Sequence, residues 1–149
     1  MGKTTFTGPV RSGNILNTSG TTIDQNVKNV GAVVMVQTYP ITQALTATAL
    51  ATPIVLPANS HILSIQMLNT VAWDATNTLS VGTSATATEL VALTAMPVGL
   101  VALNPGTDAT RTTNWDDTIV GKRIWVKSAN TGAGVGTITV RYIPQHDLA

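Results

Sequence analysis

From Gly31 to Ile143 the chain never runs far without a turn signal. Proline, glycine or an Asn/Asp cluster recurs about every ten residues: Pro40, PANS (57–60), DATN (74–77), Pro97, NPGTDAT (104–110), Gly121, NTGAG (130–134) and Pro144. Pieces this short leave no room for a long helix, and they suit strands. Several also alternate. In VGTITVRYI (135–143), Ile138, Val140 and Tyr142 fall on one face and Thr137, Thr139 and Arg141 on the other. In HILSIQMLNTVAW (61–73), Leu63, Ile65, Met67, Val71 and Trp73 fall on one face, opposite Ser64, Gln66 and Thr70, with Ile62 and Leu68 as exceptions. A period of two with one apolar face is the pattern of a half-buried strand.

The remaining segments fill in the outline. GAVVMVQTY (31–39) is apolar on both faces and reads as a buried strand ended by Pro40. ALTATALAT (44–52) suits strand or irregular structure, and PIVL (53–56) a short strand. TLSVGT (78–83) alternates with Leu79 and Val81 inward, so 61–83 reads as a β-hairpin turning at DATN. SATATELVALTAM (84–96) suits a short helix, with Leu90 and Leu93 on one face, or an irregular excursion as well as a strand. VGLVAL (98–103) and DTIVGKRIWVKS (117–128), bent at Gly121, are strands, and NTGAG is a hairpin turn into the last one. The expected fold is all-β: a β-sandwich or jelly-roll-like barrel of seven or eight short strands in a single domain, residues 31–149, whose wiring the pattern leaves open.

Residues 1–30 have another texture. TFTGPVRSGNILNTSG (5–20) shows neither period and is broken by Gly8, Pro9, Gly13 and Gly20, yet it carries the only phenylalanine, Phe6. Val10, Ile15, Leu16, Ile23, Val27 and Val30 are spaced along it. A purely solvating tail is depleted in such residues. The segment is expected to be an extended arm that orders against a partner, with Phe6, Pro9, Val10, Arg11 and Ile15 as contacts.

Composition narrows the function. Charged residues make up 10% of the 149-residue chain, against about 25% in an ordinary soluble domain. One residue in six is threonine, which suits a pleated, half-exposed surface. Weak charge protects poorly against association, so the surface is expected to pack against neighbours. A net charge of +1 argues against nucleic-acid binding through phosphate neutralisation. With no cysteine there is no disulfide, thiolate site or thiol nucleophile. The start, MGKTTFTGPV, lacks the apolar core of a signal peptide and has Phe6 where a myristoylation motif needs Ser or Thr. No apolar run reaches bilayer length, so no membrane partner is expected. The expectation is a soluble chain made in a cytoplasm.

No catalytic constellation stands out. His61 and His146 have no companions at metal-ligand spacing, and no nucleophile motif is present. Asp116-Asp117 fails as a glycosidase carboxylate pair, since neighbours on a strand point to opposite faces, and reads as a turn before the next strand. GAGVG (132–136) lacks the dinucleotide spacing and the following helix. Asn17-Thr18-Ser19 matches a glycosylation sequon but reads as a turn. Trp73 belongs to an apolar face. Trp125, between Arg123 and Lys127 and opposite Ile124 and Val126, is a candidate partner contact or sugar platform. Catalytic, cofactor and metal residues are therefore expected to be none.

Taken in order, the stretch Thr5–Asn14, PANSHILSIQM (57–67), AWDATNTLSVGT (72–83), TELVAL (88–93) and GVGTITVRYI (134–143) resembles small virion proteins of tailed bacteriophages, of the head-decoration or capsid-cement type. The resemblance implies a non-enzymatic protein on the outer surface of an icosahedral capsid. It implies the major capsid protein as partner, self-association as a homotrimer, and bridging of capsid subunits. The rival reading is a carbohydrate- or receptor-binding domain of a tail or fibre, with Trp115 or Trp125 as stacking platform.

Overall fold

The structure, a computed structural model, describes residues 15–16, 30–31, 33–74, 79–116 and 120–144. Backbone proximity divides the chain into two units, Met1–Val33 and Val34–Ala149. Within the first, β1 (Ile15–Leu16) pairs antiparallel with β2 (Val30–Gly31), Ile15 opposite Gly31.

Among its described residues the second unit holds eight strands. They are β3 (Met35–Thr42), β4 (Leu50–Leu56), β5 (His61–Val71), β6 (Leu79–Gly82), β7 (Val91–Thr94), β8 (Gly99–Leu103), β9 (Lys122–Ser128) and β10 (Val135–Ile143). Two short helices interrupt them, α1 (Gln43–Thr46) and α2 (Ala109–Asp116). One sheet runs β3-β10-β5-β8 and the other β4-β9-β6-β7, with every pairing antiparallel. The first strand pairs with the last, the second with the second last, and so inward to the β6–β7 turn. That is one long two-stranded ribbon rolled up on itself, closed by the extra contacts β10–β5 and β6–β9. The wiring is a jelly roll, which accounts for the all-β sandwich.

The two inner faces meet in one core. Ile54, Leu56, Ile65, Met67, Leu79, Val81, Ile124, Val126, Ile138 and Val140 are all buried there. The β10 faces are as the alternation predicts. Strand β5 is more complicated, because two irregularities flip its phase. Ile62 and Ser64 face Tyr142 and Arg141, leaving Leu63 extra, and Asn69 and Val71 face Gly136 and Val135, leaving Thr70 extra. Each extra residue turns the next side chain to the opposite face. Ile62 is therefore buried and Leu63 exposed, the reverse of strict alternation, and Val71 is exposed as well. A third irregularity sets residues 52–54 against Ile124, where the buried Thr52 hydroxyl donates to the Ile124 carbonyl at 2.8 Å.

Three expectations need correction. Strand β3 is an edge strand, not a buried one: it continues through Pro40 to Thr42, and Val33 to Val36 are each at least 40% exposed. Proline is tolerated there because an edge strand needs only one side of its ladder. Residues 61–83 form no hairpin, since β5 and β6 lie in different sheets. NTGAG is likewise a crossing between sheets, from β9 to β10. Residues 84–96, for which the sequence leaves helix, irregular structure and strand all open, resolve into bends and β7, with Leu90 buried and Leu93 exposed.

One buried side chain pins these crossings. Gln43, fully buried in α1, accepts from the Asp74 N–H at 2.8 Å and from the Gly134 N–H at 3.4 Å. Its amide nitrogen donates to the Asn130 side-chain oxygen at 3.0 Å. Gly134 must be glycine, since a Cβ there would meet the Trp73 ring and backbone.

Candidate functional site

Helix α2 was not legible as a helix: Asp116 closes it rather than forming a turn, and Asp117 lies outside the described residues. Its sequence ATRTTNWD offers no apolar stripe. What starts it is Asp108, whose carboxylate accepts from the Arg111 N–H at 2.9 Å, an N-cap. Arg111, Asn114 and Trp115, three and four apart on one face, donate to the carbonyls of Thr88, Glu89 and Leu90 in turn at 3.0–3.1 Å. The helix thereby satisfies the backbone of a loop that makes no ladder.

That loop, residues 83–90, folds over Gly82 on the outer side of β6. A Cβ at Gly82 would strike the Ala87 backbone and the Glu89 carboxylate. Glu89, the only glutamate, is the loop's centre. It accepts from the Ser84 and Thr86 hydroxyls and from the N–H groups of Thr83 at 3.1 Å and Thr88 at 3.0 Å. Partial burial on its own raises the Glu89 pKa, but the two hydroxyls and the main-chain donors outweigh it and lower the value from 4.5 to about 2. A depressed carboxylate pKa stabilises the folded state above the unfolded value, and that contribution drains away as pH falls from 4.5 towards 2. Melting curves should show it: the gap between wild type and Glu89→Gln is expected to be widest above about pH 5 and to narrow steadily in acid. A gap that is constant with pH would mean the carboxylate's charge is not what holds the loop.

An open cleft of about 440 Å³ lies beside α2, lined by His61, Ile62, Pro105, Thr112, Thr113, Trp115 and Asp116. His61 Nδ1 stands 3.1 Å from an Asp116 carboxylate oxygen, a partly exposed pair of the kind worth at most about 1 kcal/mol. The Thr112 and Thr113 hydroxyls donate back to the carbonyls of Asp108 and Ala109. Among the described residues no three His, Cys, Asp or Glu side chains converge as metal ligands, and no helix is long and apolar enough to cross a membrane.

Of the expected contact residues, Phe6, Pro9, Val10 and Arg11 lie outside the described residues, and Ile15 is described only through its pairing in β1. Trp125 sits on the outer face of β9 as its pattern predicts, between Ala51 of β4 and Gly82 of β6, and is partly buried. The surface that alternation missed is the outer face of the β3-β10-β5-β8 sheet. One row across it reads Pro40, Thr137, Leu68, Leu100, and the next Thr42, Val135, Val71. Leu68 is 50% and Leu100 65% exposed. On this face β10 contributes the only charge among the paired positions, Arg141. Leu68, an exception to its strand's apolar face, was the one signal in the sequence.

The sequence matches no protein-family model and no curated protein. Among solved structures, the chain is similar to one from the cyanophage Pam1 capsid asymmetric unit, with 18% identity and a TM-score of 0.55 over 86% of this chain and 98% of that one. It is also similar to one from an acidic stable capsid structure of Helicobacter pylori bacteriophage KHP30, with 15% identity and a TM-score of 0.49 over 78% of this chain and 91% of that one. At such identities the likeness to the cyanophage chain is one of fold: an eight-stranded jelly roll in which nearly the whole of a capsid chain finds its counterpart.

Proposed function

We propose that this chain is a virion structural protein with no catalytic role, which decorates and stabilises the outer surface of an icosahedral bacteriophage head by bridging major capsid protein subunits. The observation that carries the reading is the fold likeness to a chain of a phage capsid over 98% of that chain's length. The Thr-rich and partly apolar outer sheet face, whose paired positions carry a single charge at Arg141, supports it, since such a face suits burial against neighbours. The arm, residues 1–30, supplies the further contacts through Phe6, Pro9, Val10, Arg11 and Ile15. Homotrimers at threefold positions are the working arrangement. Several joined copies engage a lattice with avidity, so weak single contacts suffice.

Copy number tests this. Quantitative mass spectrometry of purified particles, referenced to the major capsid protein, is expected to find hundreds of copies. A handful per particle would instead favour a carbohydrate- or receptor-binding domain of the tail or a fibre.

A further inference from the structure

Among the described residues strand β3 lies at the edge of its sheet, and no charged residue occurs from Val30 to Ser60. Natural edges are usually blunted by charge, by proline or by a covering element. Within β3 itself the only such residue is Pro40, and its position shows which ladder groups face away from β10. Along an antiparallel ladder, residues alternate between pairs that exchange both main-chain bonds and pairs that exchange none. Pro40, opposite Thr137, has no N–H and belongs to the second set. The Gln43 N–H, which donates to the Gly134 carbonyl at 2.8 Å, continues the first set from Ile41 and Gly136. Met35, Gln37, Tyr39 and Ile41 therefore bond to β10, while Val36 and Thr38 point their N–H and C=O groups away from it.

The side chains agree with an open edge. Val36 is 51% exposed and Thr38 is exposed on the same outer face. Gln37, on the inner side, is already committed: its amide donates to the Val55 carbonyl at 2.7 Å and accepts from the Val55 N–H at 3.2 Å. It closes the gap to β4 below the edge and leaves the ladder groups of Val36 and Thr38 free of it.

We propose that this edge pairs with the same edge of a second copy of the chain, antiparallel about a twofold axis at Val36. The strand is complementary to itself in that register. Val36 faces Val36 of the second copy and Val34 faces Thr38, so the outward groups of one strand meet the outward groups of the other. Every facing pair is uncharged, and the outer-face pairs are β-branched, a favourable cross-strand combination. Pro40, which cannot donate, falls outside the central pairs. The two four-stranded sheets then become one continuous sheet. The contact goes beyond the head-surface reading and does not depend on it, since it is a property of the isolated protein.

The test is the solution mass of the full-length chain over a concentration series, with Thr38→Pro and Val36→Lys alongside. Thr38→Pro removes an outward N–H and spares the β10 ladder, and Val36→Lys sets like charges opposite each other. A strand-edge contact is small beside the about 800 Å² per partner of a standard interface, so the association is expected to be concentration-dependent. Both variants should keep the far-UV spectrum of the parent and halve its mass at high concentration, whether the unit being paired is a monomer or a trimer. If Thr38→Pro fails to fold, Val36→Lys decides. Parent and folded variants of equal mass throughout would overturn the proposal. Amide exchange at Val36 and Thr38 that is slow even at the lowest concentration would also overturn it, and would assign the edge to a segment of the same chain.

Discussion

Replacing Gln43 with leucine is expected to lower the melting temperature on the order of 10 °C, from a loss of about 3 kcal/mol. The side chain is fully buried, and leucine fills its volume but none of its bonds. The Asp74 N–H, the Gly134 N–H and the Asn130 side-chain oxygen each lose a partner in or near the interior. A buried group left without a partner costs about 1–3 kcal/mol, and access of Asn130 and Asp74 to water recovers part of the total. Gln37→Ala is the comparison. Its two bonds to Val55 lie at the exposed edge, where water replaces them, and only its bond to the part-buried Tyr142 hydroxyl at 2.7 Å reaches inward. It should cost about 1 kcal/mol or less. If the two variants melt together, Gln43 is not the pin between the crossings.

Removing residues 1–20 is expected to leave that melting temperature unchanged and to weaken attachment to heads at least tenfold, or about 1.4 kcal/mol. Among the described residues the core of the sandwich begins at Ile41, so the deletion touches none of those core side chains. Phe6→Ala alone should show a smaller loss of the same sign. Unchanged saturation of heads by the truncated chain would remove the arm from the proposed function and leave attachment to the sandwich.

Much of the sandwich can be read from the sequence because burial imposes period two. Ile138, Val140 and Tyr142 on β10, and Ile124 and Val126 against Trp125 on β9, follow from alternation alone. What cannot be read falls into two kinds. The first is local: an extra residue at Leu63 and another at Thr70 invert the phase of β5, and nothing in HILSIQMLNTV marks where a strand bulges. The second is long-range. A turn signal says that the chain reverses, not whether the next strand returns to the same sheet, so DATN and NTGAG resemble hairpin turns although the strands they join lie in opposite sheets. The exposure of Val33 to Val36 belongs to this second kind, because an apolar run looks the same whether it is covered or left at an edge. Helix α2 depends on Asp108 as cap and on three carbonyls of a distant loop, partners no local pattern contains. The candidate surface was legible only in outline: Trp125 by its place between Arg123 and Lys127, the Leu68–Leu100 row hardly at all.

An electron cryomicroscopy map of the intact particle, at a resolution that separates the two sheets, is the direct test of where and how this chain acts. The expected map shows an eight-stranded sandwich repeated over the outer head surface, touching more than one capsid subunit, with residues 1–30 traced along a neighbour. A map with the sandwich confined to the tail, or with residues 1–30 wrapped on their own sandwich and no contact to the head, would overturn the proposed role.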